Sequence, residues 1–304
     1  MYPLLTPWLL LSMLCAIIVF LIFKAWIACL IVIIVAIVFN WRTKCIAFKS
    51  LFRSKEKGTY NLKVMSFNIN CNFSNVEIKA KEITGFIISN DPDVVFISEL
   101  GDFNRDAIDL YMKEQYPYSA FEGVIPHGFY SKYAIHNWES IVTYSKEKGA
   151  CLCQLETGGV TITLCGCHFA SNNFMSDNQY MTPSGIKSFK TLWEYIKNIQ
   201  YVYALRVTES NTVRGLLKKK NTPTILMGDF NDVSGSVVLR NVEGVGLKDS
   251  WWERGLGYGA TIKKPFPYRI DHMLYSNDLR LMEINILDSK ELSDHMALCA
   301  EFAC

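Results

Sequence analysis

Residues 4–40 carry a single charge, Lys24. Residues 9–23 read LLLSMLCAIIVFLIF and residues 25–39 read AWIACLIVIIVAIVF. Neither run has a polar face, so neither suits an amphipathic helix on a soluble core. A membrane span needs about 20 apolar residues, fewer where flanking side chains snorkel. Two arrangements meet that need: two short spans turning at Lys24, or one long tilted helix that carries Lys24 within it. A signal peptide has an apolar core of about 7–15 residues behind a cation. Here the run is longer and no cation precedes Lys24. Residues 1–41 are therefore read as a transmembrane anchor of two spans, 42–59 as a basic juxtamembrane linker, and 60–304 as the folded domain. Arg42, Lys44, Lys49, Arg53, Lys55 and Lys57 crowd the flank. The positive-inside rule places that flank, and with it the domain, on the cytoplasmic side of an inner (cytoplasmic) membrane. Trp8, Trp26 and Trp41 mark interfacial levels. Residues 45–52 (CIAFKSLF) are weakly apolar and read as an interfacial helix or the remnant of a third span.

The net charge of +2 conceals an asymmetry. Residues 58–304 hold 24 cations and 28 anions, a net of −4. A domain that grips duplex nucleic acid through its phosphates is usually basic, so nucleic acid is a poor expectation as partner. Cys151 and Cys153, like Cys165 and Cys167, are spaced i, i+2, which in a strand puts each pair on one face. Small buried core residues fit that spacing better than zinc ligands, which favour C-x₂₋₄-C.

Downstream of Gly58 the pattern alternates between strands and helices. Strands are expected at residues 62–67, 93–98, 140–143, 150–155, 160–168, 224–227, 269–275, 279–287 and 295–302. Helical spacing marks 76–89, 104–116 and 186–210. Asn68, Glu99, His168, Asp229 with Asn231, and Asp294 with His295 stand at an end of these strands. A lone acid at a strand end is ordinarily a cap or turn residue. Five such places on five strands point instead to a crevice at one edge of a layered α/β fold.

Those residues lie in motifs. SFN (66–68), ISEL (97–100), YSKYAI (130–135), CHFAS (167–171), GDFND (228–232), RIDHML (269–274) and SDHMAL (293–298) occur in this order. In that order the chain resembles the endonuclease/exonuclease/phosphatase superfamily, as a membrane-anchored, bacterial-type member. The superfamily includes pancreatic-type DNases, abasic-site endonucleases, inositol-polyphosphate 5-phosphatases and neutral sphingomyelinases. The resemblance implies a four-layer α/β sandwich, with two mixed β-sheets face to face and helices outside, and metal-assisted cleavage of a phosphate ester. It implies Glu99 as the main ligand of Mg2+ (or Mn2+), with Asn68 on the metal's water shell or a phosphate oxygen and Asp294 acting on the metal or its water shell. It implies His295 as general base, oriented by Asp271 and poised near an ordinary histidine pKa. Asp229 orients the attacking water, Asn231 donates to phosphoryl oxygens, and His168 contacts a non-bridging oxygen or assists the leaving group. Arg269 is a candidate for substrate binding, and Lys132, Arg206, Lys263 and Lys264 are further candidates for a phosphorylated head group. At position 70 abasic-site enzymes resemble one another in an acidic residue; here Asn70 stands.

The leading expectation is a membrane-anchored, metal-dependent phosphoesterase acting on a phosphorylated substrate, lipid-linked or small. The alternatives are a tethered nuclease and, from a different class, an inactive interaction module. Every acid, base and metal position is filled, which counts against the last.

Overall fold

The computed structural model describes residues 5–52, 62–70, 75–121, 126–142, 148–171, 189–263 and 267–303. Two apolar helices open the chain, α1 (Thr6–Ile22) and α2 (Trp26–Thr43). They pack against each other as a hairpin whose turn holds Lys24 in the left-handed region, φ 54°. α2, at 18 residues, is long and apolar enough to cross a membrane by length and composition; α1 is apolar and one residue shorter. Only Thr6 of α1 and Cys29 and Asn40 of α2 are buried.

The first sheet contains β1 (Leu62–Asn68), β2 (Val94–Ser98), β3 (Tyr118–Phe121), β4 (Gly128–Ser131), and the closing strands β11 (Arg280–Leu287) and β12 (Ala297–Ala303). Its order is β11-β12-β1-β2-β4-β3. The second contains β5 (Ile135–Val142), β6 (Gly149–Thr157), β7 (Val160–His168), β8 (Thr224–Asp229), β9 (Lys248–Asp249) and β10 (Asp271–Tyr275). Its order is β5-β6-β7-β8-β10-β9. Each sheet is antiparallel except for one central parallel pair, β1–β2 and β7–β8. A parallel pair needs a long crossover. α3 (Val76–Asn90) supplies the first and α5 (Phe189–Leu217) lies within the second.

Alternation along the strands sorts the core into layers. Val64, Phe96, Leu164, Met227, Met273 and Leu298 meet between the sheets. On the outer face of the first sheet, Met65, Phe67, Val95 and Ile97 pack on α3 and on α4 (Asp102–Met112). On the outer face of the second, Leu152, Leu226 and Phe169 pack on α5 and on α6 (Val237–Glu243). The result is the four-layer α/β sandwich. Cys151 and Cys153 lie in the central layer and Cys165 and Cys167 in an outer one, all buried and free.

The sheets touch where Gly166 of β7 faces Phe96 of β2: a Cβ at Gly166 would stand 2.1 Å from the ring. Overpacking of this kind costs typically 1–3 kcal/mol. Gly166→Val is expected to lower unfolding stability by about 2–3 kcal/mol, read as a drop in denaturation midpoint. An unchanged midpoint would show that this contact does not set the spacing of the layers.

Residues 44–52 form no α-helix and do not continue α2. Lys44 ends α2 with a left-handed cap, φ 51°. The Asn40 side chain then bonds Ile46 through its carbonyl oxygen, accepting from the Ile46 N–H at 2.8 Å, and its amide donates to the Ile46 carbonyl at 2.9 Å. Ala47 exchanges backbone hydrogen bonds with Gly257 (2.9 and 2.7 Å), and Lys49–Phe52 makes a 3₁₀ turn. The segment is folded onto the domain because its backbone finds partners there rather than within itself.

Candidate active site

The two parallel pairs end at the same place. In register, Asn68 pairs with Ser98 and His168 with Asp229, and Glu99 follows directly on β2. The first sheet thus supplies Asn68 and Glu99, and the second supplies His168 and Asp229. Asp271, the first residue of β10, lies opposite Asp229 in the antiparallel register. His295 comes two residues before β12.

Asn68 joins the halves. Its amide donates to Glu99 Oε1 at 3.1 Å and to Asp229 Oδ2 at 3.0 Å. His168 Nε2 lies 3.3 Å from Glu99 and 3.7 Å from Asp229. Glu99, His168 and Asp229 present ligand atoms within 4.8 Å of one another, as do Asp229, Asp271 and His295. Glu99 sits at φ 59° and Asn231 at φ 50°. Non-glycine residues held there store local strain, a feature that concentrates at functional sites.

Burial pushes the Glu99 carboxyl up, but His168, Lys148 and Asn68 outweigh it and hold it at about 2. Asp229 goes the other way: burial and the neighbouring Asp271 raise it, against His295 and His168. His295 Nδ1 is 2.9 Å from Asp271 Oδ2, and its Nε2 is 3.9 Å from Asp229. Burial disfavours the imidazolium, yet Asp271, Asp229 and Asp294 outweigh that and raise His295 to about 10. The expectation of an ordinary histidine is therefore corrected: three carboxylates around one ring favour its charged form.

Asp294 is exposed and lies in neither ligand cluster; its carboxylate accepts from the Asn70 amide at 2.8 Å. Asn68 enters the cluster as a donor to two carboxylates, so its amide nitrogen, not an oxygen, faces them. Arg269 turns away from the cluster. Its guanidinium is buried on Asp249 (2.9 and 3.0 Å), Ser234 and the Lys44 carbonyl (3.3 Å). Of the other cation candidates, Lys132 pairs with Asp91 and Lys263 with Asp288, while Lys264 lies outside the described residues. Arg206 is buried behind Asn231, donating to the Asn231 and Ala170 carbonyls, and Glu209 one helical turn on accepts from the Ala170 N–H. The pair on α5 pins the two turns that carry His168 and Asn231. The Asn231 amide donates to the Phe169 carbonyl at 2.9 Å, and the Asn231 N–H to Asp229 at 2.8 Å.

Three residues enter the site that sequence reading did not single out. Lys148, just before β6, places its ammonium 2.6 Å from His168 Nε2 and 3.9 Å from Glu99. Thr261 is fully buried, and its hydroxyl accepts from the backbone N–H groups of Ile270 and Asp271 at 3.1 and 3.0 Å. Its carbonyl accepts from Met296 N–H, which ties the Asp271 strand to the one carrying His295. His127 is fully buried and, among the described residues, neither of its ring nitrogens has a hydrogen-bond partner; its ring lies 6.3 Å from that of His168. Burial, with His168 and Lys148 nearby, holds its pKa well below the usual value, so it stands as a neutral wall. No motif marks Lys148 or Thr261; only the register of β6 and the path of the 255–262 loop bring them in. His272, beside Asp271 in sequence, faces the opposite side, with Nε2 on the Asp232 carbonyl at 2.9 Å.

Residues 189–295 match the family model described as the Endonuclease/Exonuclease/phosphatase family. No curated protein matches the chain in sequence. Among solved structures, it is similar to a humanized D. rerio TDP2 carrying 14 mutations, with 18% identity, TM-score 0.61, and 80% of this chain and 99% of that one covered. It is also similar to Sphingomyelinase C from Streptomyces griseocarneus, with 17% identity, TM-score 0.55, and coverage of 81% and 100%. A mutant beta toxin from Staphylococcus aureus with bound magnesium ions gives 16% identity, TM-score 0.56, and coverage of 79% and 99%.

Proposed function

From the match of residues 189–295 to the Endonuclease/Exonuclease/phosphatase family model and from the shared fold, we propose that this chain is a member of that superfamily, a membrane-anchored, divalent-metal-dependent phosphoesterase whose substrate is a lipid-linked or small phosphate ester. The observation that carries the reading is the meeting of two groups at one sheet edge: Glu99 with His168 and Asp229, and Asp229 with Asp271 and His295. The donor set suits a hard cation, since two carboxylates converge there and Glu99 is held ionised. Glu99 and Asp229 would hold Mg2+ or Mn2+, which supplies positive charge to phosphoryl oxygens and lowers the pKa of bound water.

The chain's own residues do the rest. Asp271 fixes the His295 ring through Nδ1 and leaves Nε2 on the Asp229 side, free to take the proton of a water as it attacks the phosphorus. Asn231 spends one amide N–H on Phe169 and keeps the other for a phosphoryl oxygen whose charge grows in the transition state. Lys148 adds a fixed cation beside His168 on the same side.

The anchor reading rests on α1 and α2, and the cytoplasmic placement of the domain on the cations at 42–57; a reporter at Cys304 active only outside the cytoplasm would reverse that placement. The net of −4 over residues 58–304 disfavours a polyanion as substrate. The full chain in detergent with Mg2+ is expected to cleave bis-p-nitrophenyl phosphate or a lipid phosphate, to lose that activity in EDTA, and to bind duplex DNA poorly at physiological salt. Tight, salt-dependent DNA binding with cleavage, and no turnover of the other esters, would replace this reading with a tethered nuclease.

A further inference from the structure

The base of the helix hairpin is built into the active-site edge of the second sheet. Residues 41–50 make a series of contacts with the stretch of chain between β8 and β10, the strands that bear Asp229 and Asp271. Arg269 holds the Lys44 carbonyl two residues before Asp271, about 7 Å of chain. A Cβ at Gly235 would stand 2.7 Å from the Thr43 backbone. Lys44 pairs with Glu243 at 2.6 Å and Lys49 with Glu253. Ser50 donates to the Gly255 carbonyl at 2.9 Å. Trp41 and Phe48 both stack edge-on to Trp252 of α7 (Ser250–Arg254).

A second observation lies beside the first. Ile46, Phe48, Leu51, Phe52 and Leu256 leave apolar side chains in the open, Phe52 at 83%, Leu51 at 66% and Leu256 at 58% exposure. Residues 46–52 follow directly on the hairpin, and Ala47 pairs with Gly257 beside Leu256; Trp8 and Trp41, near the outer ends of α1 and α2, are also exposed. Exposed aromatic and aliphatic side chains beside an exposed cation, Arg42, are the composition of a membrane interface. The ridge is joined to the catalytic pair by a short stretch of chain. Leu256 lies five residues before Thr261, which bonds Asp271, and Ile262 bridges His295.

We infer that residues 46–52 and Leu256 form a bilayer-docking ridge that seats the active-site edge at the head-group level of the membrane crossed by the hairpin, so that the substrate is a phosphate ester of a lipid in that same bilayer. The inference rests on the anchored phosphoesterase reading above and narrows it. Helices of 17 and 18 residues reach about 25 Å from their base, close to the ~30 Å hydrocarbon thickness. A hairpin that spans the bilayer therefore puts its base, and the ridge, at one interface. A dissolved phosphate gains nothing from this arrangement; a lipid head group is delivered by it.

The test uses the full chain in phosphatidylcholine vesicles doped with sphingomyelin or phosphatidic acid. Lipid in the enzyme's own vesicles should turn over about 10²-fold faster than the same lipid in separate vesicles, because tethering raises its effective concentration. The triple variant Leu51→Ser, Phe52→Ser, Leu256→Ser should lower lipid turnover by about tenfold and leave water-soluble bis-p-nitrophenyl phosphate unaffected. Equal rates in the two vesicle arrangements overturn the inference, as does a loss in the triple variant on both substrates alike or on neither. A benzophenone amino acid at position 52 gives a readout without turnover: on illumination it should form lipid adducts, and protein adducts alone would overturn the docking ridge. If no phosphate ester of any kind is hydrolysed, the functional reading fails while the adduct still decides the ridge.

Discussion

Glu99→Gln is expected to abolish metal-dependent turnover, a loss of roughly 10³-fold or more, since it removes the ionised ligand while keeping the shape. Gln retains an oxygen to accept from Asn68, so that cross-sheet hydrogen bond survives. The carboxylate is held at about 2 in the folded chain. A group depressed in this way contributes stability above its unfolded value, near 4.5, and that contribution is lost as pH falls through about 2. At neutral pH the Gln variant forfeits it, but Glu99 is partly exposed, so solvent screening keeps the change small. Calorimetric Mg2+ binding and turnover should therefore fall together while the denaturation midpoint moves little. Wild-type turnover in the Gln variant, or full activity in EDTA, would remove Glu99 from the metal site.

The second large effect concerns His295. His295→Ala should lower kcat by about 10²–10⁴, the range for a positioned general base. Burial opposes the charge, but the carboxylates around the ring raise its pKa to about 10. A base must first lose its proton, so kcat/KM should climb with pH on the alkaline side of neutrality, and His295→Ala should flatten that climb. The stability linkage has the opposite slope. The contribution of the His295 imidazolium is fully present below its unfolded value of about 6.5 and is lost as pH rises through about 10. His272→Ala is the control. Burial and Arg269 hold His272 at about 4, and its replacement should cost stability without altering the pH profile. A flattened profile in His272→Ala, with His295→Ala near wild type, would exchange the two assignments.

The sandwich was legible because its central strands are apolar runs with the right ends. VVFIS and TILM need cover on both faces, and both stop at a polar residue, so fold and crevice could be read together. The β3 and β4 strands were missed. YSAF and GFYS are four residues long at a sheet edge, and nothing in their alternation separates them from loop. α6 and α7 were missed for a similar reason: seven and five residues give too few turns for a periodic signal, although Ser236 and Asp249 cap them. In the site, residues within motifs came together, since strand ends fix their direction. Arg269 could not be read correctly from its motif, because its partners Asp249, Ser234 and Lys44 are 20, 35 and 225 residues away in sequence. Lys148 and Thr261 belong to no motif, and their roles exist only once distant strands are in register.

The hydrogen bonds from Asn68 to Glu99 and Asp229 have a mechanical meaning. One carboxylate hangs from each sheet, so the site is a caliper whose jaws belong to different slabs, and its reading is the alignment between them. Sliding either slab by one residue displaces a jaw by about 3.3 Å, more than a hydrogen bond's tolerance. The Gly166–Phe96 contact, deep between the slabs, acts as the rivet of that instrument. Residues far from any phosphate can thus set the gap across which it would be cut.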